Sequence, residues 1–184
     1  TPTQLMEYNG VYFIVDCWHN RVLVSESINR PVHQWYVLDN DLGSPHSIAF
    51  DPSRQILVTE DNRRSSSVVY SFHRNSSGEC DFNGGCLRRT QVIPLELSKR
   101  PHFTTFVEFF DSFFVIGAHS APNSSHLYMT QLRANGGIIS VVAQQELDFL
   151  QGNYTRSFTT YGPYFYFAKY KSVIICSAVK NNIN

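Results

Sequence analysis

A small set of side chains, Asp16, His19, His46, Glu60, Asp61, His102 and His119, stands in polar stretches between runs of branched and aromatic residues. Imidazoles and carboxylates brought to one point hold a divalent metal, and a metal so held activates water for hydrolysis. The metal set on that reading is His46, His102, His119, Asp16 and Glu60, with calcium or another divalent ion as cofactor. A plainer use competes with it. A carboxylate beside a turn accepts from the turn's backbone amides, and a histidine ahead of a strand satisfies buried backbone groups. His46 and His102 each follow a proline just before a strand-like run, but Arg156 and Ser157 stand at the corresponding place further on, so the set lacks symmetry. The sequence therefore favours the structural use, with no catalytic residue and no cofactor. No Gly-x-Ser-x-Gly elbow, phosphate loop or His-Glu-x-x-His is present.

Four cysteines add a second kind of chemistry. Cys80 and Cys86 bracket DFNGG, whose Asn and two Gly let the backbone turn tightly enough to join the thiols, so a local disulfide is expected. A zinc site would want four ligands at short spacing and finds this pair alone. Cys17 and Cys176 lie near opposite ends of the chain and are a further candidate pair, although four cysteines permit about three pairings and sequence does not choose. With all four thiols read as oxidised, a cysteine nucleophile is not expected. Asn75 and Asn123 (both NSS) and Asn153 (NYT) are glycosylation acceptors in loop-like stretches. Together these features point to a secreted, extracellular glycoprotein carrying N-linked glycans. The sequence opens on Thr1 without an initiating Met or a charged-then-apolar leader, the expectation for a processed or excised segment.

The 184 residues suffice for one well-buried domain, and the formal net charge is zero. A neutral chain sets up no long-range field for nucleic acid, and the basic pairs Arg63-Arg64, Arg88-Arg89 and Lys99-Arg100 read as solvated loops. No apolar run approaches the roughly 18 residues of a membrane helix, so membrane insertion is not expected. Trp18 and Trp35 are candidate stacking platforms for a sugar, which would make the protein a lectin. Neither recurs in the other repeats.

The elements that must position these residues are strands. The stretch PHSIAFDPSRQILVTEDNRRSSSVVYSF, 45–72, holds three short runs rich in Val, Ile, Phe and Tyr, punctuated by Asp, Pro, Asn and Ser. The same order recurs: FTTF at 103 and FTTY at 158 are 55 apart, and SIAF at 47 precedes FTTF by 56. Strands are expected at 4–8, 11–16, 21–26, 35–39, 47–50, 56–60, 67–72, 90–95, 103–106, 113–119, 126–132, 139–147, 158–161, 164–169 and 172–178. Asn9-Gly10 supplies the first hairpin turn, and Pro94 marks its strand as an outer one. Helix is all but excluded, the one candidate being 144–151. Small antiparallel sheets that cannot bury their own faces must stack about an axis. The prediction is an all-β propeller of about four blades, at 4–39, 45–95, 101–147 and 154–179, with three strands in the last and a larger ring left open. Phe109 and Phe110, adjacent in sequence, point to opposite faces, so an exposed apolar rim for a partner or for self-assembly is a further expectation.

VDCWHNRVLV, 15–24, resembles the core of the NHL repeat, where a strand ends in Val-x-Asp and a loop with Asn, His and Arg leads to the next. LVTEDNRRSSSVVYSF, 57–72, is a looser copy with Glu60 at the acidic position, and PHSIAFD, 45–51, is similar to the entry of such a repeat. The third and fourth units depart, with Gly117-Ala118-His119 and Ala168-Lys169 where the acid would be. The stretch 161–175 is also similar to hemopexin-like repeats, which form four-bladed rings. The NHL resemblance implies a propeller serving mostly as an interaction module, while some relatives in the wider superfamily are lactonases or synthases. The function expected is thus a secreted, glycosylated, non-catalytic interaction or structural module for assembly or adhesion. The alternatives are a metal-dependent lactonase- or arylesterase-like hydrolase and, behind it, a lectin.

Overall fold

The computed structural model describes residues 2–74, 76–78, 80–82, 85–95, 101–109, 112–119, 127–135, 138–147, 155–161, 164–169 and 172–177. The chain divides into two compact units, Thr1–Arg100 and Pro101–Asn184, each taken by itself below.

The first unit holds two four-stranded antiparallel meanders. One runs β1 (Pro2–Tyr8), β2 (Val11–Asp16), β3 (Arg21–Ser25), β4 (Tyr36–Asp39), and the other β5 (Ile48–Asp51), β6 (Ile56–Asp61), β7 (Ser66–Phe72), β8 (Leu87–Pro94). Asn9 and Gly10 both take positive φ, 49° and 77°, the mirror-image turn that suits a two-residue hairpin between right-twisted strands. Side chains alternate across a strand, so each sheet offers one face to the other. Phe13, Val15, Val22 and Val24 pack with Ile48, Leu57, Val68 and Tyr70 in a single cluster. Ala49, Val58, Val69 and Ile93, on the opposite face of the second sheet, are buried as well. Burial on both faces explains why β6 is buried along its whole length, its polar residues Thr59, Glu60 and Asp61 included. The first strands of the two sheets meet: the Ile48 amide donates to Gln4 Oε1 at 2.7 Å, and the Tyr8 and Phe50 rings stand 4.0 Å apart.

The second unit has a four-stranded meander, β9 (Pro101–Phe109), β10 (Ser112–His119), β11 (Leu127–Asn135), β12 (Ile138–Leu147). A three-stranded sheet follows, β13 (Thr155–Tyr161), β14 (Tyr164–Lys169), β15 (Ser172–Ser177). FTTF and FTTY lie in β9 and β13, the first strands of these sheets, and those strands lie against each other. A side chain at Gly117 would occupy the phenol ring of Tyr128, its partner on β11. Residues 144–147, part of the helix candidate, belong to β12, and 148–151 lie outside the described residues.

One irregularity repeats. The outer strand of each four-stranded sheet carries a single extra residue, Leu38 in β4, Thr90 in β8 and Val142 in β12, a spacing of 52 each time. Extra residues also sit near the start of three first strands: Thr3 in β1, His102 in β9 and Arg156 in β13. Such bulges bend a strand and tighten its twist. All-β architecture in successive small meanders is what the sequence reading requires, and Pro94 closes the outer strand β8.

Candidate functional site

The polar residues of the first unit gather where the β2–β3 turn, the β4–β5 loop and the β6–β7 turn meet. Cys17–His19 form one 3-10 turn, closed by Asn20 at φ 56°. From that turn the Asn20 side-chain oxygen accepts the Ser44 amide at 3.0 Å, and its carbonyl accepts the Leu42 amide. The Gly43 carbonyl in turn accepts the Arg63 amide at 3.0 Å. Three loops are thereby held by backbone-centred bonds, and glycine is needed at 43 because a Cβ there would collide with Asp61 and Arg63.

The acids of this end are engaged within the chain. Glu60 is fully buried: its Oε1 accepts the backbone amides of His46 and Ser47 at 2.9 and 2.6 Å, and its Oε2 accepts the Ser47 hydroxyl at 2.8 Å. Burial outweighs these bonds and pushes its pKa from 4.5 up to about 7. Asp16 is bonded by His19 Nδ1 at 2.8 Å and Arg21 Nε at 2.9 Å. Burial alone would raise its pKa, but the bonds and charge interactions with those two partners outweigh it and hold the carboxyl below its ordinary value. Asp61 accepts from the Arg64 amide and guanidinium, both at 3.0 Å. Asp39 accepts the Tyr70 hydroxyl at 2.6 Å and Arg89 Nη2 at 2.6 Å, tying the outer strand of the first sheet to the second. Burial first, and Asp39 second, raise the Tyr70 pKa well above its usual value. Arg64 and Arg89, half of two basic pairs, are thus partners of acids.

The sequence-derived residues are brought together only in part. Asp16 and His19 bond directly, and Glu60 meets His46 through its backbone amide. His102 is half-buried at the β9 bulge. The His119 side chain, Lys99 and Arg100 lie outside the described residues, as do the acceptors Asn75, Asn123 and Asn153 and the residue Phe110. Among the described residues no three His, Cys, Asp or Glu side chains form a group able to hold a metal. Cys80 and Cys86 form a disulfide with Cα atoms 5.2 Å apart. Cys17 carries a free, buried thiol 3.8 Å from His46 Nε2, and burial raises its pKa. The expectation that every thiol is oxidised fails there, because the tight 3-10 turn buries Cys17 among its own loops; the Cys176 side chain lies outside the described ones. Trp35 is buried with its indole N–H on the Arg30 carbonyl at 2.7 Å, so its ring is no platform for a sugar. Trp18 is 77% exposed, at the tip of the turn that Asp16 anchors. Its exposure and the Cys17–His46 pairing were not readable in sequence, since both depend on which side of a three-residue turn faces the neighbouring loop.

Meanders of this kind, stacked through their first strands, define a β-propeller. Solved structures bear this out. The chain is similar to one in the crystal structure of a nidogen/laminin complex, with 21% identity, TM-score 0.55, 91% of this chain and 55% of that one covered. It is also similar to the periplasmic gluconolactonase PpgL of Pseudomonas aeruginosa, with 14% identity, TM-score 0.61, 96% of this chain and 50% of that one covered. A protein from Lactobacillus plantarum gives 14% identity and TM-score 0.57, over 100% of this chain and 57% of that one. The chain therefore spans about half the length of each. No protein-family profile matches the sequence, and no curated protein matches it either.

Proposed function

We propose that the protein is a secreted, glycosylated β-propeller acting as a non-catalytic interaction module, with the exposed Trp18 turn as its protein-binding tip. The single domain of about four blades expected from the sequence, contributing to a larger propeller, is the arrangement this reading assumes. The observation that carries it is the commitment of Glu60, Asp16 and Asp61 to amides, hydroxyls and guanidinium groups of their own loops. Carboxylates spent in that way position a turn. What the turn presents is a large aromatic ring, the side-chain type that anchors interfaces. The Cys80–Cys86 disulfide and the likeness to a nidogen/laminin complex support an extracellular setting. No helix among the described residues is long and apolar enough to cross a membrane.

Surface plasmon resonance against immobilised nidogen and laminin, and a panel of other extracellular proteins, tests this. A saturable signal lost in Trp18→Ala, with the circular dichroism spectrum unchanged, is the expected result. The competing reading, a metal-dependent lactonase- or arylesterase-like hydrolase, is favoured by the likeness to a gluconolactonase. Calcium-dependent turnover of a lactone or aryl ester, abolished in the His46→Ala, His102→Ala double variant, would replace the interaction reading. Intact mass before and after deglycosylation and reduction reports on Asn75, Asn123 and Asn153 and on the cysteines together.

A further inference from the structure

The outermost strand of a sheet bears a row of unpaired backbone N–H and C=O groups, which proteins guard with charge, proline or brevity. β8 is guarded by Arg88, Arg89 and Pro94, and β4 is only four residues long. β12 is less guarded, with one charge, Glu146, next to its end. Its ten residues make it the longest of the described strands, and IISVVAQQ, Ile138 to Gln145, contains no charge and no proline. Ile138, Val141 and Val142 are 72%, 40% and 46% exposed. The sheet order ends at β12, so among the described residues no strand covers its outer side. The bulge at Val142 bends the strand, as the bulge at Thr90 bends β8, but only β8 adds cations to that device.

We propose that β12 pairs with β12 of a second copy of this chain, antiparallel across a two-fold axis, so that two four-stranded sheets join edge to edge. Charge pattern selects this occupant. A two-fold sets a strand against its own sequence, and the uncharged stretch 138–145 so placed meets no like-charge repulsion. β8 under the same operation would set arginines against arginines. A charged foreign strand would find no complementary charge along 138–145, whereas the branched side chains of a second β12 match its own. The pairing stands apart from whatever the Trp18 turn binds.

Sedimentation velocity on the 184-residue chain, over a dilution series from about 100 to about 1 μM, reads the association directly. A reversible monomer–dimer equilibrium is expected, with loss of the dimer in the Ile138→Lys, Val142→Lys double variant. Trp18→Ala and Val173→Lys, which alter exposed residues elsewhere, are expected to dimerise like the parent chain. Hydrogen exchange on the parent chain guards against misfolding of the double variant: amides 138–145 should slow as concentration rises. Monomer at every concentration overturns the proposal. So does a folded double variant that still dimerises, or dissociation by Val173→Lys instead, or exchange at 138–145 that ignores concentration.

Discussion

Replacing Glu60 separates the two things this carboxyl does. In Glu60→Ala the amides of His46 and Ser47 and the Ser47 hydroxyl lose their acceptor in a buried place. Stranded donors cost about 1–3 kcal/mol each, so a loss of about 3 kcal/mol or more is expected at pH 5. Glu60→Gln keeps an acceptor for the amides and removes the titration. Because the folded pKa is raised, Glu60 contributes most below the unfolded value and that contribution is lost as pH rises through the folded one. Carrying the pKa from 4.5 to about 7 corresponds to about 3 kcal/mol, at about 1.36 kcal/mol per tenfold change in acidity. The parent chain should therefore weaken relative to Glu60→Gln by about 2–3 kcal/mol between pH 5 and pH 8, the rest of the loss falling below pH 5. Urea unfolding followed by tryptophan emission suits the measurement, since both tryptophans lie in the first unit and Trp35 is buried. The urea midpoint difference should grow by about 1 M or more across that range. A difference between parent and Glu60→Gln that is constant from pH 5 to pH 8 would refute the reasoning.

Asp16→Asn should act at the other end of the pH scale. A depressed carboxyl pKa contributes stability above the unfolded value and loses it on acidification, so the parent's decline below pH 3.8 should be shallower in the variant. Urea midpoints from pH 5 downward check this; equal slopes would count against the His19–Asp16–Arg21 contact. Gly43→Ala should cost about 1–3 kcal/mol, because its methyl displaces Asp61 and Arg63 from a fixed loop crossing. A melting temperature lower by roughly 3–10 °C is expected, and an unchanged one would mean the loops do not cross there.

Short runs of branched and aromatic residues with a firm stop at each end were legible. The expected strands 11–16 and 164–169 coincide with β2 and β14. Others differ at their ends for a reason: β8 starts at Leu87, ahead of the expected Thr90, since Arg88 and Arg89 look like loop residues until pairing with β7 places them on an outer strand. The repeat length read from first strands, 55 and 56, differs from the 52 of the outer-strand bulges because turns of unequal length intervene. At the candidate site the sequence offered two uses for Glu60. Glu60 accepts the His46 and Ser47 amides, and acids beside turns face a short menu of such donors. Which tryptophan is buried, and which cysteine is free, depends on contacts between loops far apart in sequence.

Single supernumerary residues at 38, 90 and 142 carry an engineering consequence. Outer strands that carry the same kink at the same spacing share one ruler for the exchange of parts. Splicing the peripheral strand of one onto another, with an offset of 52, preserves both inward and outward phase, whereas an offset of 51 or 53 would turn every greasy residue outward. Chimeras built to that ruler are the ones that should fold.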